Sequence, residues 1–275
     1  MEIPIRTIHL FPKLDNKLIE LLLSLNTDEW NNTTLAKKWT VKDIASHLLD
    51  GNLRLLSMIR DNFFGNTPKG VNSYKDLVDF LNGLNADWVI ATKRLSPKVI
   101  ISLLEQTGTE CYDVLKNLDP FATSLFSVAW AGEAESKNWF HIAREYTERW
   151  HHQQQIREAV GKQGIMDREF YFPLIDTFMQ ALPHTYRDIA SPQNTHIKVN
   201  VTTEAGGSWS LLRLNNTWVL AASKIPATAE ITFDPSTAWK LFTKALSGEE
   251  AKDKIQFAGD EKLCKPILSM LSVMA

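Results

Sequence analysis

Through Val160, apolar positions recur at the three- and four-residue spacing of helices. Leu14 to Leu25 forms one such stretch, with Leu18, Ile19, Leu21 and Leu22 on a single stripe. A second opens at Thr40-Val41-Lys42-Asp43, a capping-box pattern with Asp43 in place of the usual Glu. Ile44, Leu48, Leu55, Leu56 and Ile59 carry it to about Phe64, before Gly65, Pro68 and Gly70 break the pattern. A third helix is predicted from about Tyr74 to Leu95. Ser96-Pro97 starts a fourth, which Asp119-Pro120 ends. The longest runs from about Asn138 to Val160 and stops at Gly161.

After Gly161 the period changes. Phe170 to Ile189 stays helical, interrupted by Pro183, and then strict alternation places Ile197, Val199 and Val201 on one face of a strand. Ser208–Leu214 and Thr217–Ser223 flank Asn215-Asn216 as a hairpin. Ala229, Ile231 and Phe233 alternate in a further strand, and Asp234-Pro235 caps a helix through Leu246. Lys254–Ala258 is a short strand, and Gly259-Asp260 opens a last helix. The expected architecture is an up-and-down helical bundle over residues 1–163, followed over 164–275 by a small α+β domain with an antiparallel sheet.

Composition narrows the function classes. The 275 residues carry 30 Lys+Arg against 32 Asp+Glu, a balance that gives no electrostatic footprint for nucleic acid. Cys111 and Cys264 are too few and too far apart for a disulfide framework or a thiolate zinc site, and both sit among apolar neighbours that mark them as core. Neither a signal-peptide stretch nor a membrane-length apolar run is present, so a cytoplasmic protein is expected.

The candidate chemistry lies on the long helix. Residues four apart on an α-helix differ by about 40° in azimuth, so Glu148 and His152 are neighbours, with His141, Glu145 and Gln155 on the same stripe. Trp139, Ala143, Tyr146 and Trp150 form the opposite one. A carboxylate and an imidazole one turn apart can both reach one divalent ion, which needs a third protein ligand in an open catalytic site. His47, beside apolar Ile44 and Leu48 in the capped helix, is the candidate. The spacing also arises in solvated helical faces, and a lone histidine is often no more than a hydrogen-bonded core residue. His151 is about 100° round from His152 and is expected beside the site or at the surface. Trp39, Trp88 and Trp150 line either a pocket or the core.

The segment Trp39 to Leu48, followed about a hundred residues later by Glu148 to Gly161, resembles the DinB-like metal-binding family, in its mycothiol-dependent maleylpyruvate isomerase branch. The second half, ending Phe257-Ala258-Gly259-Asp260-Glu261-Lys262-Leu263, is similar to that branch's sterol-carrier-like C-terminal unit. The resemblance implies that His47, Glu148 and His152 hold a divalent metal, zinc by preference and nickel as the second choice. It further implies a low-molecular-weight thiol activated by that metal, in a bacterial setting, to isomerise or conjugate a small electrophile. An anionic substrate needs cations nearby, and Arg54 and Arg144, on the same stripes as the ligands, are the candidates, with Gln155 placed to bond a ligand.

The expected function is therefore a metal-dependent, thiol-using isomerase or transferase. Its partners are a small-molecule substrate and a thiol, with a homodimer left open and neither nucleic acid nor membrane involved. Two alternatives stand beside it: a non-catalytic metal-binding stress protein, and a module binding a lipid-like molecule.

Overall fold

The computed structural model describes residues 2–68, 70 and 72–274. Helices α1 (Phe11–Leu23), α2 (Val41–Leu55), α3 (Tyr74–Thr92), α4 (Pro97–Lys116) and α5 (Asn138–Val160) make up the first part of the chain. Helix α2 begins where its cap dictates. The Thr40 hydroxyl accepts from the Asp43 amide, and the Asp43 carboxylate accepts in return from the Thr40 amide at 3.0 Å. Replacing Thr40 by alanine should cost about 1 kcal/mol, read as a lower urea midpoint with an unchanged slope.

One side of α2, with Val41, Ile44, Ala45, Leu48 and Leu49, packs against Leu18 and Leu22 of α1 and Ile100 and Leu104 of α4. His47, Asp50 and Arg54, at i, i+3 and i+7, fall on its other side. The helix closes in a π-helical turn over Leu56–Arg60, a widening often found beside functional sites. Helix α5 ends at Gly161, whose φ of 67° suits glycine as the left-handed residue. Burial along α5 includes His141, Thr147, His151, His152, Gln153, Gln154 and Gln155, a polar load that an amphipathic surface helix does not carry.

Helices α6 (Arg168–Met179) and α7 (Leu182–Thr185) lead to a sheet in the order β3-β2-β1-β4-β5. Its strands are β1 (His196–Val201), β2 (Gly207–Leu214), β3 (Thr217–Leu220), β4 (Ala229–Phe233) and β5 (Gln256–Gly259). The hairpin turns at Asn215 and Asn216, both at positive φ, as the sequence predicts. The expectation of a purely antiparallel sheet needs correction, because β1 and β4 run parallel, with Val199 opposite Ile231. Alternation reports which residues share a face and is blind to strand direction. Segment 221–228 crosses from the β3 edge to bring β4 beside β1, and the Thr228 amide donates to the His196 carbonyl at its arrival.

Ile197, Val199, Leu211, Ile231 and Phe233 are fully buried on the face covered by α6 and α8 (Pro235–Phe242). Helix α8 stops short of the expected Leu246, because Lys244 turns the backbone to a φ of 60°. Ser247 and Glu250 then form a capping box that starts the single turn α9 (Gly248–Ala251). Helix α10 (Glu261–Cys264) follows β5. One continuous hydrophobic cluster spans both parts of the chain, joining Tyr146 and Trp150 of α5 to Tyr171 of α6 and Trp239 of α8. No described helix is long and apolar enough to cross a membrane.

Candidate metal site

Helices α2 and α5 pack together and bring their polar stripes face to face. The imidazole rings of His47 and His152 lie 4.7 Å apart in an edge-to-face arrangement. The Glu148 Oε2 stands 3.7 Å from His152 Nε2. Trp39, just ahead of the α2 cap, closes one side with its ring 4.9 Å from His47 and 6.4 Å from His152. Of the three tryptophans singled out in the sequence, Trp39 alone borders the site. Trp88 donates to the Ser46 carbonyl and Trp150 to that of Ile165, both inside the fold.

His151 is buried, 4% exposed, with its ring 4.0 Å from that of His152. Ligand atoms of Glu148, His151 and His152 lie within 4.8 Å of one another. The reason is elementary: Glu148 has neighbours on both sides one turn along, at i+3 and at i+4. Measuring His151 against His152 alone hides that shared neighbour, and the surface position it suggested is replaced by a buried one.

Hydrogen bonds set the tautomers. His151 Nδ1 lies 2.8 Å from the Thr147 carbonyl, so it carries the proton and donates, leaving the Nε2 lone pair free. His152 Nδ1 is 2.9 Å from Gln155 Oε1, with the same consequence. Gln155 thus bears on the histidine ring, a support of the kind that fixes metal-binding imidazoles. A buried Nδ1 of His47 has no partner.

Burial shifts every titratable group of the cluster toward its neutral form. Burial, then the neighbouring His152, hold His47 well below the ordinary imidazole range. Burial, then His151, do the same to His152, and burial puts His151 at about 4. Burial raises Glu148 to about 7, against the lowering pull of Arg144. Neutral imidazoles beside a carboxyl whose ionisation burial delays toward neutral pH form a nitrogen-and-oxygen donor set of the type that takes zinc or nickel. The unpartnered His47 nitrogen fits the same group. Because His152 is neutral, its contact with Glu148 is not an ion pair.

The cations expected nearby are present on the same stripes. Arg54 Nε lies 2.9 Å from Asp50 Oδ2 as an i,i+4 ion pair without the alignment of a hydrogen bond. Asp50 had a legible signal, three residues from His47 on its stripe, that the sequence reading passed over. Arg144 Nη2 donates to Glu145 Oε1 at 2.6 Å and to His141 Nδ1 at 3.1 Å. Burial pushes the Glu145 carboxyl up, but the positive neighbours led by Arg144 outweigh it and leave it lowered. The Cys111 thiol, pushed up to about 11 by burial, is no nucleophile, and Cys264 is buried as well.

The family model of the mycothiol maleylpyruvate isomerase N-terminal domain matches residues 11–157, rather more than half of the chain. Two solved structures share the fold. One is a mycothiol-dependent maleylpyruvate isomerase, 11% identical with a TM-score of 0.54, the match covering 91% of each chain. The other is a histidine-to-alanine mutant of a mycothiol-dependent maleylpyruvate isomerase, 10% identical with the same TM-score and coverage. No curated protein sequence matches the chain.

Proposed function

The chain belongs to the family of the mycothiol maleylpyruvate isomerase N-terminal domain, and from that premise we propose that it is a metal-dependent enzyme using a low-molecular-weight thiol on a small electrophile. The observation that carries this reading is the approach of His47 from α2 to His152 on α5, with Glu148 beside that ring's Nε2. These three would hold a divalent ion, zinc first and nickel second, and His151 would pack behind His152. An ion there would supply the charge that lowers a thiol's pKa, so that thiolate forms at neutral pH.

The residues around it have separate tasks. Gln155 and Thr147 fix which ring nitrogens of His152 and His151 are free. Trp39 covers the His47 side and keeps water from that flank. An activated double bond attacked there by a thiolate becomes a single bond, free to rotate before the sulfur leaves and the double bond re-forms. The thiol is regenerated, which suits an isomerase; displacement of a leaving group instead would make the enzyme a transferase. Residues 1–163 would carry the chemistry, with 164–275 bracing α5 through Trp239. The apolar face of the sheet is filled by α6 and α8, which favours this bracing role over a lipid-binding one.

The test is an assay of thiol-dependent isomerisation and conjugation on untagged protein purified without added metal. Maleylpyruvate with mycothiol heads the panel, because the structural neighbours carry those names. Removing metal with a chelator should abolish turnover, and zinc should restore it. One bound metal per chain with no turnover across the panel would point instead to a non-catalytic metal-binding protein.

A further inference from the structure

The polar stripe on α5 continues past the metal cluster. His141 lies seven residues before Glu148, which places it about 10 Å along the helix on the same azimuth. It is 2% exposed, and Phe126 from the loop before α5 sits 6.3 Å from its ring. Arginine can only donate, so the 3.1 Å contact from Arg144 Nη2 makes His141 Nδ1 an acceptor. The proton of the neutral ring is therefore on Nε2, and that N–H is buried with no acceptor. Burial keeps the ring neutral, at about 4.

One more buried donor in the same stretch is also unmatched, Arg144 Nε, while Arg54 Nε is held by the Asp50 carboxylate at 2.9 Å. Arg54 comes from α2, and its charge reaches both Glu145 and Glu148 on α5. A buried donor without an acceptor is costly, and two of them one turn apart on α5 call for a ligand rich in acceptor oxygens. The metal reading uses neither.

We infer that His141 and Arg144, with the charge of Arg54 beside them, form a second recognition point, for a carboxylate, about 10 Å along α5 from Glu148. A ligand would then be gripped at two ends, its sulfur at the metal cluster and its carboxylate at the His141 and Arg144 donors. This rests on the metal-and-thiol reading above. His141 would donate its Nε2 proton as a hydrogen bond, and the arginines would supply charge while keeping Asp50 and Glu145 as partners.

The test uses the zinc-loaded full chain and a series of straight-chain ω-mercaptocarboxylic acids of increasing length, with 2-mercaptoethanol as the thiol lacking a carboxylate. Calorimetric affinity should peak for the acid whose sulfur-to-carboxylate span is near 10 Å. His141→Leu should weaken that best acid at least tenfold and leave 2-mercaptoethanol and zinc content unchanged, while His141→Gln, which keeps a donor, should recover most of the affinity. Arg144→Met serves as the second variant and should also flatten the length profile. A profile that rises smoothly with chain length, or a peak untouched by both variants, overturns the carboxylate subsite. Failure of the metal reading looks different, because 2-mercaptoethanol and every acid would then lose zinc-dependent binding together.

Discussion

Glu148→Ala and His152→Ala are each expected to strip the protein of stoichiometric metal and of thiol-dependent turnover, while leaving it folded. His47→Ala should do the same. The three side chains come from two helices and share no hydrogen bond that the fold needs, so the loss should be of the ion and not of the scaffold. The size of the effect separates them from their supports. Losing a group that only orients a metal-binding histidine typically costs about 10- to 100-fold in metal affinity, whereas losing a ligand costs more. Gln155→Ala and His151→Ala belong to the smaller class: Gln155 orients the His152 ring, and His151 packs against it. Plasma-emission metal counts after dialysis, with circular dichroism as the control for folding, measure both. Equal loss of metal in His151→Ala and His47→Ala would mean that His151 is itself a ligand.

Trp150→Ala should produce the largest loss of stability. This residue is fully buried, donates to the Ile165 carbonyl at 3.1 Å, and meets the rings of Tyr171 at 5.7 Å and Trp239 at 5.9 Å. It therefore joins the helix carrying Glu148 and His152 to α6 and α8 from the second part of the chain. Truncating a buried tryptophan costs about 3–5 kcal/mol through lost apolar burial and the cavity left behind. In a chain of this size that lowers the melting temperature by on the order of 10 °C. The near- and far-ultraviolet signals should still melt together, because the cluster around Trp150 is continuous across both parts. A loss below about 1 kcal/mol, the range of ordinary surface substitutions, would mean that the two parts are not braced through this residue.

Local signals in the sequence translated well. The Thr40–Asp43 box, Gly161 at the end of α5 and the Asn215-Asn216 turn each act through their own backbone, so a short stretch of sequence specifies them. Pairing of two stripes could be read only as far as each stripe alone: His47 and Glu148–His152 each point somewhere, and only packing of α2 on α5 makes the directions meet. The burial of His151 was accessible in principle, since i+3 neighbours touch as surely as i+4. The parallel β1–β4 pair was not, because an alternating strand looks identical in either direction. The unmatched donors of His141 and Arg144 are likewise a property of packing, visible only once acceptors can be sought around each atom.

X-ray absorption at the metal edge, on untagged protein loaded with one equivalent of zinc, tests the shared ion most directly. The expected spectrum has nitrogen and oxygen neighbours at about 2.0–2.2 Å, with an imidazole contribution that falls by one histidine in His47→Ala and stays unchanged in His151→Ala. A spectrum indifferent to His47, or a protein that takes up no zinc, would contradict an ion held jointly by α2 and α5.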